Sequence, residues 1–484
     1  MDDYNWARVV LLHSNDIHSR LEQAARMATF IDEERGKYGA DRVLAVDCGD
    51  HMDRMRVETE GSDGAVNIEL LKASGYEAVT LGNNEGLTYS FDTLAPAYKE
   101  QESFAVLCAN MTDAATGDCP EWLLNHTIIV KNNLRIGLIG VTACYEQFYR
   151  LLGWDVTDPM EAVRKEAEAL RERVDVLAVM SHCGLRFDEA LAENVAGIDL
   201  ILGAHTHHLL LEPIVVGSTT ICAAGKFGEY MGRVEIGIDP ISSRPLFRAS
   251  CVPMAAYAQQ PEAAAIIGSF LEAGQRRLSR VVARLDAPLP ASTERESPLG
   301  NLLAAGLRCW TDAEIGIVNA GQLLGGLNAG DVTTGQLHAL CPSPINPCRM
   351  MISGKHIRAS LEQSLLPEYI DMPLKGYGFR GSVLGTLVVD GMQIAYDPSL
   401  PPMSRIVSAT VDGEPLSDER LYTVGTIDMF TFRAGYKELA DAEELRYYLP
   451  EFIRDVIEKQ LQSSEEIENC RNLRWIDARD MNNL

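Results

Sequence analysis

Five short apolar runs each break off into a polar turn, and every turn carries an Asp, Asn or His. Val9 to Ser14 opens into Asn15-Asp16-Ile17-His18, and Val43 to Asp47 leads to Gly49-Asp50. Ala78 to Leu81 leads to Gly82-Asn83-Asn84-Glu85, Val176 to Ser181 to His182-Cys183-Gly184, and Leu200 to Leu202 to Gly203-Ala204-His205-Thr206-His207-His208. Near-continuous apolar runs of this length are the pattern of strands buried on both faces. In open α/β sheets, ligands bind at the carboxyl ends of the strands. Five turns spread over the first 208 residues are therefore expected to converge on one site.

The segments between the runs support a sheet covered by helices. Leu21, Ala24, Ala25, Ala28 and Ile31 fall on one face of a helix over Leu21 to Tyr38, and a second helix is expected from about Gly64 to Ser74. Asp158-Pro159 reads as an N-cap followed by proline at the first helical position. Strand and helix alternating in this way predict an α/β sandwich with largely parallel strands, closed by consecutive strands around Thr219 to Asp239. Pro261-Glu262 opens a long helical pattern. Beyond it the order changes to a helix near Ser297 to Trp310, short strands, Asp-Gly turns at Asp390-Gly391 and Asp412-Gly413, and a helix near Glu443 to Leu461. The expected division is a first domain over 1–255, a linker helix over 256–282 and a smaller α+β domain over 283–484.

Charge and cysteine usage narrow the partners. With 43 Lys and Arg against 69 Asp and Glu, the net charge is −26. Such a chain repels polyphosphate polymers, so no nucleic acid partner is expected. There is no basic and apolar leader at the start and no run of membrane-spanning length, so a cytoplasmic protein without membrane attachment is expected. The eleven cysteines are odd in number and lack paired spacing, which reads as free thiols. Cys48 and Cys183 lie beside candidate ligands; a small apolar filler is the favoured reading of both, and a thiolate ligand is the other. Eight of the ten histidines precede residue 209, which locates the chemistry in the first domain.

The ordered set Asp-x-His, Gly-Asp, Gly-Asn-x-Glu, Ser-His-x-Gly and Gly-x-His-x-His resembles the calcineurin-like metallophosphoesterases. Leu299-Gly300-Asn301-Leu302, Val318-Asn319-Ala320-Gly321, Gly330 to Gly335, Ile352-Ser353-Gly354 and Tyr422-Thr423-Val424-Gly425 extend the resemblance to the two-domain 5′-nucleotidase family. The resemblance implies two divalent ions about 3.5–4 Å apart, bridged by Asp50. Asp16, His18 and His207 would complete one site, and Asn83, His182 and His205 the other. Mixed oxygen and imidazole donors suit manganese, zinc, iron or nickel, with manganese preferred for a cytoplasmic protein. The implied activity is hydrolysis of a small phosphate-bearing substrate, a nucleotide above all, by a hydroxide activated on the two metals. Two other readings are a metal-binding sensor with little or no turnover, and a structural partner of a cell-surface or division system.

The chain departs from the family pattern at functional positions. Gly-Asn-His-Glu appears here as Gly82-Asn83-Asn84-Glu85, and the aspartate that orients that histidine three residues later appears as Leu87. The resemblance thus leaves Asn84 to hold a phosphoryl oxygen, and leaves His51, beside the bridging aspartate, as a substitute acid. In the second domain the substrate arginine of the family is absent from Asn319-Ala320-Gly321-Gln322-Leu323-Leu324. Asn319, Phe430, Phe432 and Arg433 remain as substrate candidates, with the two rings for a base and the arginine for a phosphate. Core packing is the stronger reading of the rings.

Overall fold

The computed structural model describes residues 8–481. The chain divides into two compact units, the first ending at Gln275 and the second beginning at Arg276; the long helix Pro261–Arg277 runs through that boundary.

Two sheets make the first unit. One has seven strands in the order Pro245–Pro253, Tyr230–Ile238, Val9–Ser14, Val43–Asp47, Ala78–Thr80, Ala105–Leu107, Leu123–Leu124. From Val9–Ser14 onward the strands are parallel, while the two late strands join antiparallel. The other sheet runs Ile214–Val216, Thr219–Cys222, Leu200–Gly203, Val176–His182, Leu134–Thr142, His126–Lys131, parallel through its centre. Leu11, Leu44 and Val46 of the first sheet meet Leu138, Ala178, Met180 and Leu202 of the second in one core. The outward residues Ile139, Leu177, Val179 and Ile201 pack against Val163, Ala167, Leu170 and Leu191 of helices Pro159–Leu170 and Leu185–Asn194. A strand caught between two apolar layers has no solvent face, which is why all seven residues of Val176–His182 are buried. Each such Val or Leu contributes roughly 1.5–3 kcal/mol.

The sequence expectations hold closely here. The first helix spans Leu21–Tyr38 and the second Ala65–Ala73. The Asp158 carboxylate accepts from Met160 N at 2.7 Å and Glu161 N at 3.2 Å, capping the helix that Pro159 opens. Strands Thr219–Cys222 and Tyr230–Ile238 follow one another as expected.

The second unit holds a five-stranded sheet, Leu387–Asp390, Ile315–Asn319, Leu421–Ile427, Pro347–Ser353, Glu443–Tyr447, with helix Pro298–Thr311 packed on it. A four-stranded sheet, Glu414–Pro415, Ile406–Val411, Met392–Tyr396, Trp475–Asp477, completes it. Two expectations need correction. Asp412-Gly413 does close a two-residue hairpin with both φ values positive, 49° and 81°. Asp390-Gly391 does not; it passes the chain from one sheet to the other, and the Asp390 carboxylate is held by Arg308 and Arg474. The helix expected from Glu443 starts only at Ile453. Pro450 disfavours helix at the residue before it, and Glu443–Tyr447 instead pairs with Pro347–Ser353 as an edge strand. All eleven cysteines are free thiols. No helix among the described residues is long and apolar enough to cross a membrane.

Candidate functional site

The five polar turns meet in the first unit. Ligating atoms of Asp16, His18 and His207 lie within 4.8 Å of one another, and so do those of Asp16, Asp50 and His182. Asp50 stands between the groups: its Oδ1 is 3.2 Å from His182 Nε2 and its Oδ2 is 3.9 Å from His18 Nε2. Asn83 Oδ1 is 3.2 Å from His182 Nε2. The His205 ring lies 5.3 Å from that of His182, its Nε2 3.1 Å from the Tyr145 hydroxyl and its backbone N–H on the Asp16 carboxylate. All seven candidate ligands are therefore brought together.

The backbone is bent to achieve this. Asp16, His18, Asp50, His205 and His207 all have positive φ, between 47° and 73°. Such conformations cost a non-glycine residue energy and persist where the surroundings enforce them, as they do at functional sites. The enforcement is visible. His18 N donates to Asp50 O at 2.9 Å, Asp16 N to Gly49 O at 3.0 Å, and Phe227 N to Asp16 O at 2.7 Å. The buried Glu85 carboxylate gathers the backbone N–H groups of Asp50, Met52 and Gly82 at 2.8–3.0 Å. Gly82 has no room for a side chain, since a Cβ there would fall 2.2 Å from Asp50 Oδ1.

The electrostatics call for positive charge. Burial disfavours ionisation of Asp50, yet His182, His18 and the Asn84 N–H hold its carboxyl below the usual range. Asp16 is likewise held low against burial, chiefly by His207 and His182. Burial opposes charging of His182, but the Asp50 and Asp16 carboxylates overcome it and raise the imidazole to about 10. Two buried carboxylates thus draw positive charge to this point of the site, which a divalent cation supplies when bound, with His182 then a neutral donor through Nε2. Partial burial, with His182 close by, lowers His205 to about 4.

The donor set fits divalent cations. Two carboxylates, four imidazoles and an amide oxygen converge, and His182 Nδ1 is engaged at 2.8 Å by the Cys48 carbonyl, which leaves Nε2 facing Asp50. Anchoring the distal nitrogen in this way is how metal-binding imidazoles are oriented. Burial pushes the thiols of Cys48 and Cys183 upward, and neither sulfur belongs to the two groups of ligating atoms at the strand ends, in line with the filler reading.

Asn84 and His51 do something other than expected. The Asn84 side-chain amide meets His18 Nδ1 at 2.9 Å and Met52 O at 3.0 Å, so its nitrogen is committed within the protein. It is a positioning residue for His18, since the contact at Nδ1 fixes the ring. His51 is buried against Asn67, whose amide nitrogen is 3.0 Å from His51 Nδ1, and burial lowers it to about 3. Held neutral, it has no imidazolium proton to give as a general acid. Asn84→Ala is expected to lower metal affinity about 10–100-fold, the usual cost of removing a partner that orients a ligand. A competition titration against a chelator measures it, and unchanged affinity would remove the positioning role.

In the second unit the candidates separate. Asn319 is buried, donating to Leu384 O at 2.6 Å and accepting from Gln322 at 3.0 Å, and Phe430 is buried against Tyr436. Both serve the core and present nothing to a substrate. Phe432 is 41 % exposed and stacks on Tyr377 at 6.2 Å, while Arg433 pairs with Asp441. The sequence reading missed Tyr377, Tyr145 and Phe227. A tyrosine in an irregular segment carries no spacing signal; the positive φ of Tyr377 and Phe227, 55° and 60°, becomes visible only in the fold.

Residues 9–209 match the family described as calcineurin-like phosphoesterase, and residues 280–438 match the 5′-nucleotidase C-terminal domain. The chain is 34% identical over 452 residues to the uncharacterized metallophosphoesterase YunD of Bacillus subtilis (strain 168), covering 92% of this chain and 97% of that one. The chain belongs to the two-domain 5′-nucleotidase family. An apyrase of Anopheles gambiae is 25% identical over 463 residues, covering 84% and 78% of the two chains. The crystal structure of a 5′-nucleotidase precursor from Thermus thermophilus shares the fold with a TM-score of 0.59 at 24% identity, over 94% of this chain and 96% of that one. As a family member the protein is a metal-dependent phosphoester hydrolase, and the site at the strand ends carries candidate ligands for its ions.

Proposed function

We propose that the protein hydrolyses nucleotides with two divalent cations held by Asp16, His18, Asp50, Asn83, His182, His205 and His207. The observation that carries this reading is Asp50, a carboxylate with one oxygen toward His182 and the other toward His18. Manganese suits the oxygen and imidazole set within the cytoplasmic setting we assign, and zinc, iron and nickel share the donor preference. Bound there, such a pair supplies charge stabilisation of phosphoryl oxygens and a nucleophile at neutral pH.

The chain's own residues prepare the site for that chemistry. Glu85 locks the turns that carry Asp50 and Asn83, Asn84 sets the His18 ring, and the Cys48 carbonyl sets His182. The names of the relatives, apyrase and 5′-nucleotidase, favour nucleotides among small phosphate compounds.

The test is phosphate release from a nucleotide panel with each candidate metal, after chelation of the purified protein. Metal-dependent release, highest with manganese, is expected. Binding of two metals with no turnover of any nucleotide or aryl phosphate would overturn the reading in favour of a metal-binding sensor.

A further inference from the structure

Beside the cluster stands Phe227, on the turn Gly225-Lys226-Phe227-Gly228. Its ring lies 5.7 Å from that of His18 and 6.4 Å from that of His207. A φ of 60° is costly for a bulky aromatic residue, and the Phe227 N–H donated to Asp16 O fixes it there. Two cations share this ring. The Arg20 guanidinium is 4.9 Å from its centroid and the Lys226 ammonium 4.7 Å. Neither enters an ion pair among the described residues. Glu22, whose carboxylate feels the Arg20 charge, is itself bound by Arg56 at 2.8 Å.

Two like charges on one ring repel each other, and a chain of net charge −26 has many carboxylates with which to pair them. They are held instead on a ring 5.7 Å from that of the candidate ligand His18, on long side chains able to swing toward the cluster. A cation–π contact at a partly exposed ring is weaker than a charge-assisted bond to phosphate. A phosphate near the cluster therefore offers both side chains a stronger partner than the ring.

We propose that Arg20 and Lys226, parked on Phe227, form an anion clamp for a second phosphoryl group, attached to the one that is cleaved. The clamp deepens the proposed function and rests on it: the substrate class becomes nucleotides with a phosphoanhydride chain rather than monophosphates. The residues determine specificity by charge. Phe227 is a positioning residue that keeps them near the cluster and out of ion pairs.

The test compares metal-loaded wild type with Arg20→Gln, Lys226→Gln and the double variant. Calorimetry with methylenediphosphonate and with inorganic phosphate reads binding without turnover. Wild type is expected to bind the diphosphonate at least about tenfold more tightly than phosphate, and the double variant to lose most of that ratio, as befits two charge-assisted contacts. In parallel, kcat/KM for a nucleoside diphosphate should fall about tenfold further than that for an aryl monophosphate. Equal losses on both substrates, or an unchanged binding ratio, would overturn the clamp. If wild type hydrolyses no phosphoester, the proposed function fails, and the diphosphonate ratio still decides whether the clamp exists.

Discussion

Asp50→Asn should strip the metal pair from the protein and remove its activity. Asparagine keeps the size and one oxygen but takes away the charge between two cations. At a separation near 4 Å and an effective dielectric constant of about 20, the attraction between a divalent ion and the carboxylate is worth about 8 kcal/mol, so even with an amide oxygen left in its place a loss of at least roughly 10³-fold in affinity for each ion follows. The carboxylate also accepts the Asn84 N–H at 2.7 Å, so the turn beyond Gly82 should loosen as well. Elemental analysis of wild type and variant, purified side by side, gives metals per chain. Two metals retained in Asp50→Asn would disprove the bridging assignment, whatever happens to the rate.

The second large effect concerns the leaving group. An alkoxide leaving from a nucleoside monophosphate has a high pKa and benefits from a proton donor, a contribution typically worth ~10²–10⁴ in rate. The family resemblance places a histidine where this chain has Asn84, and its orienting aspartate where Leu87 stands. Asn84 has no acidic proton, and His51, lowered to about 3 by burial, is neutral in the working range. Phosphate and phenolate leaving groups have low pKa values and need little help. Nucleotide anhydrides and aryl esters should therefore exceed nucleoside 5′-monophosphates in kcat/KM by about two orders of magnitude or more, and His51→Ala should leave that ratio where it was. A wild-type preference for the monophosphate would sink the argument. A ratio that changes in His51→Ala would return His51 to the role of acid.

Much of the architecture was legible because it rests on local periodicity. Apolar runs buried on both faces, the stripe of Leu21–Tyr38 and the Asp158-Pro159 cap are short-range signals, and each element formed where its pattern placed it. The convergence of the five turns was legible too, since parallel strands put their carboxyl ends on one edge. The readings that failed depended on partners far away in the chain. Asp390-Gly391 has the composition of a hairpin turn, but Leu387–Asp390 finds its partner in Ile315–Asn319, and the chain leaves for another sheet. Glu443–Tyr447 is captured by the free edge of Pro347–Ser353.

The residue types at the site, two aspartates, four histidines and Asn83, were determined by the sequence alone, because ligand chemistry belongs to the side chain. What each neighbouring residue does was decided only by the tertiary structure. Whether Asn84 points to a substrate or to His18, whether His51 is charged, and whether Phe430 or Phe432 reaches solvent depend on burial and on distances of a few ångströms. Burial withdrew His51 from acid chemistry and placed Phe430 in the core. A positive φ at Phe227, enforced by a hydrogen bond to Asp16 more than two hundred residues away, set Arg20 and Lys226 beside the cluster. Packing and desolvation are properties of the folded chain, and no local pattern encodes them.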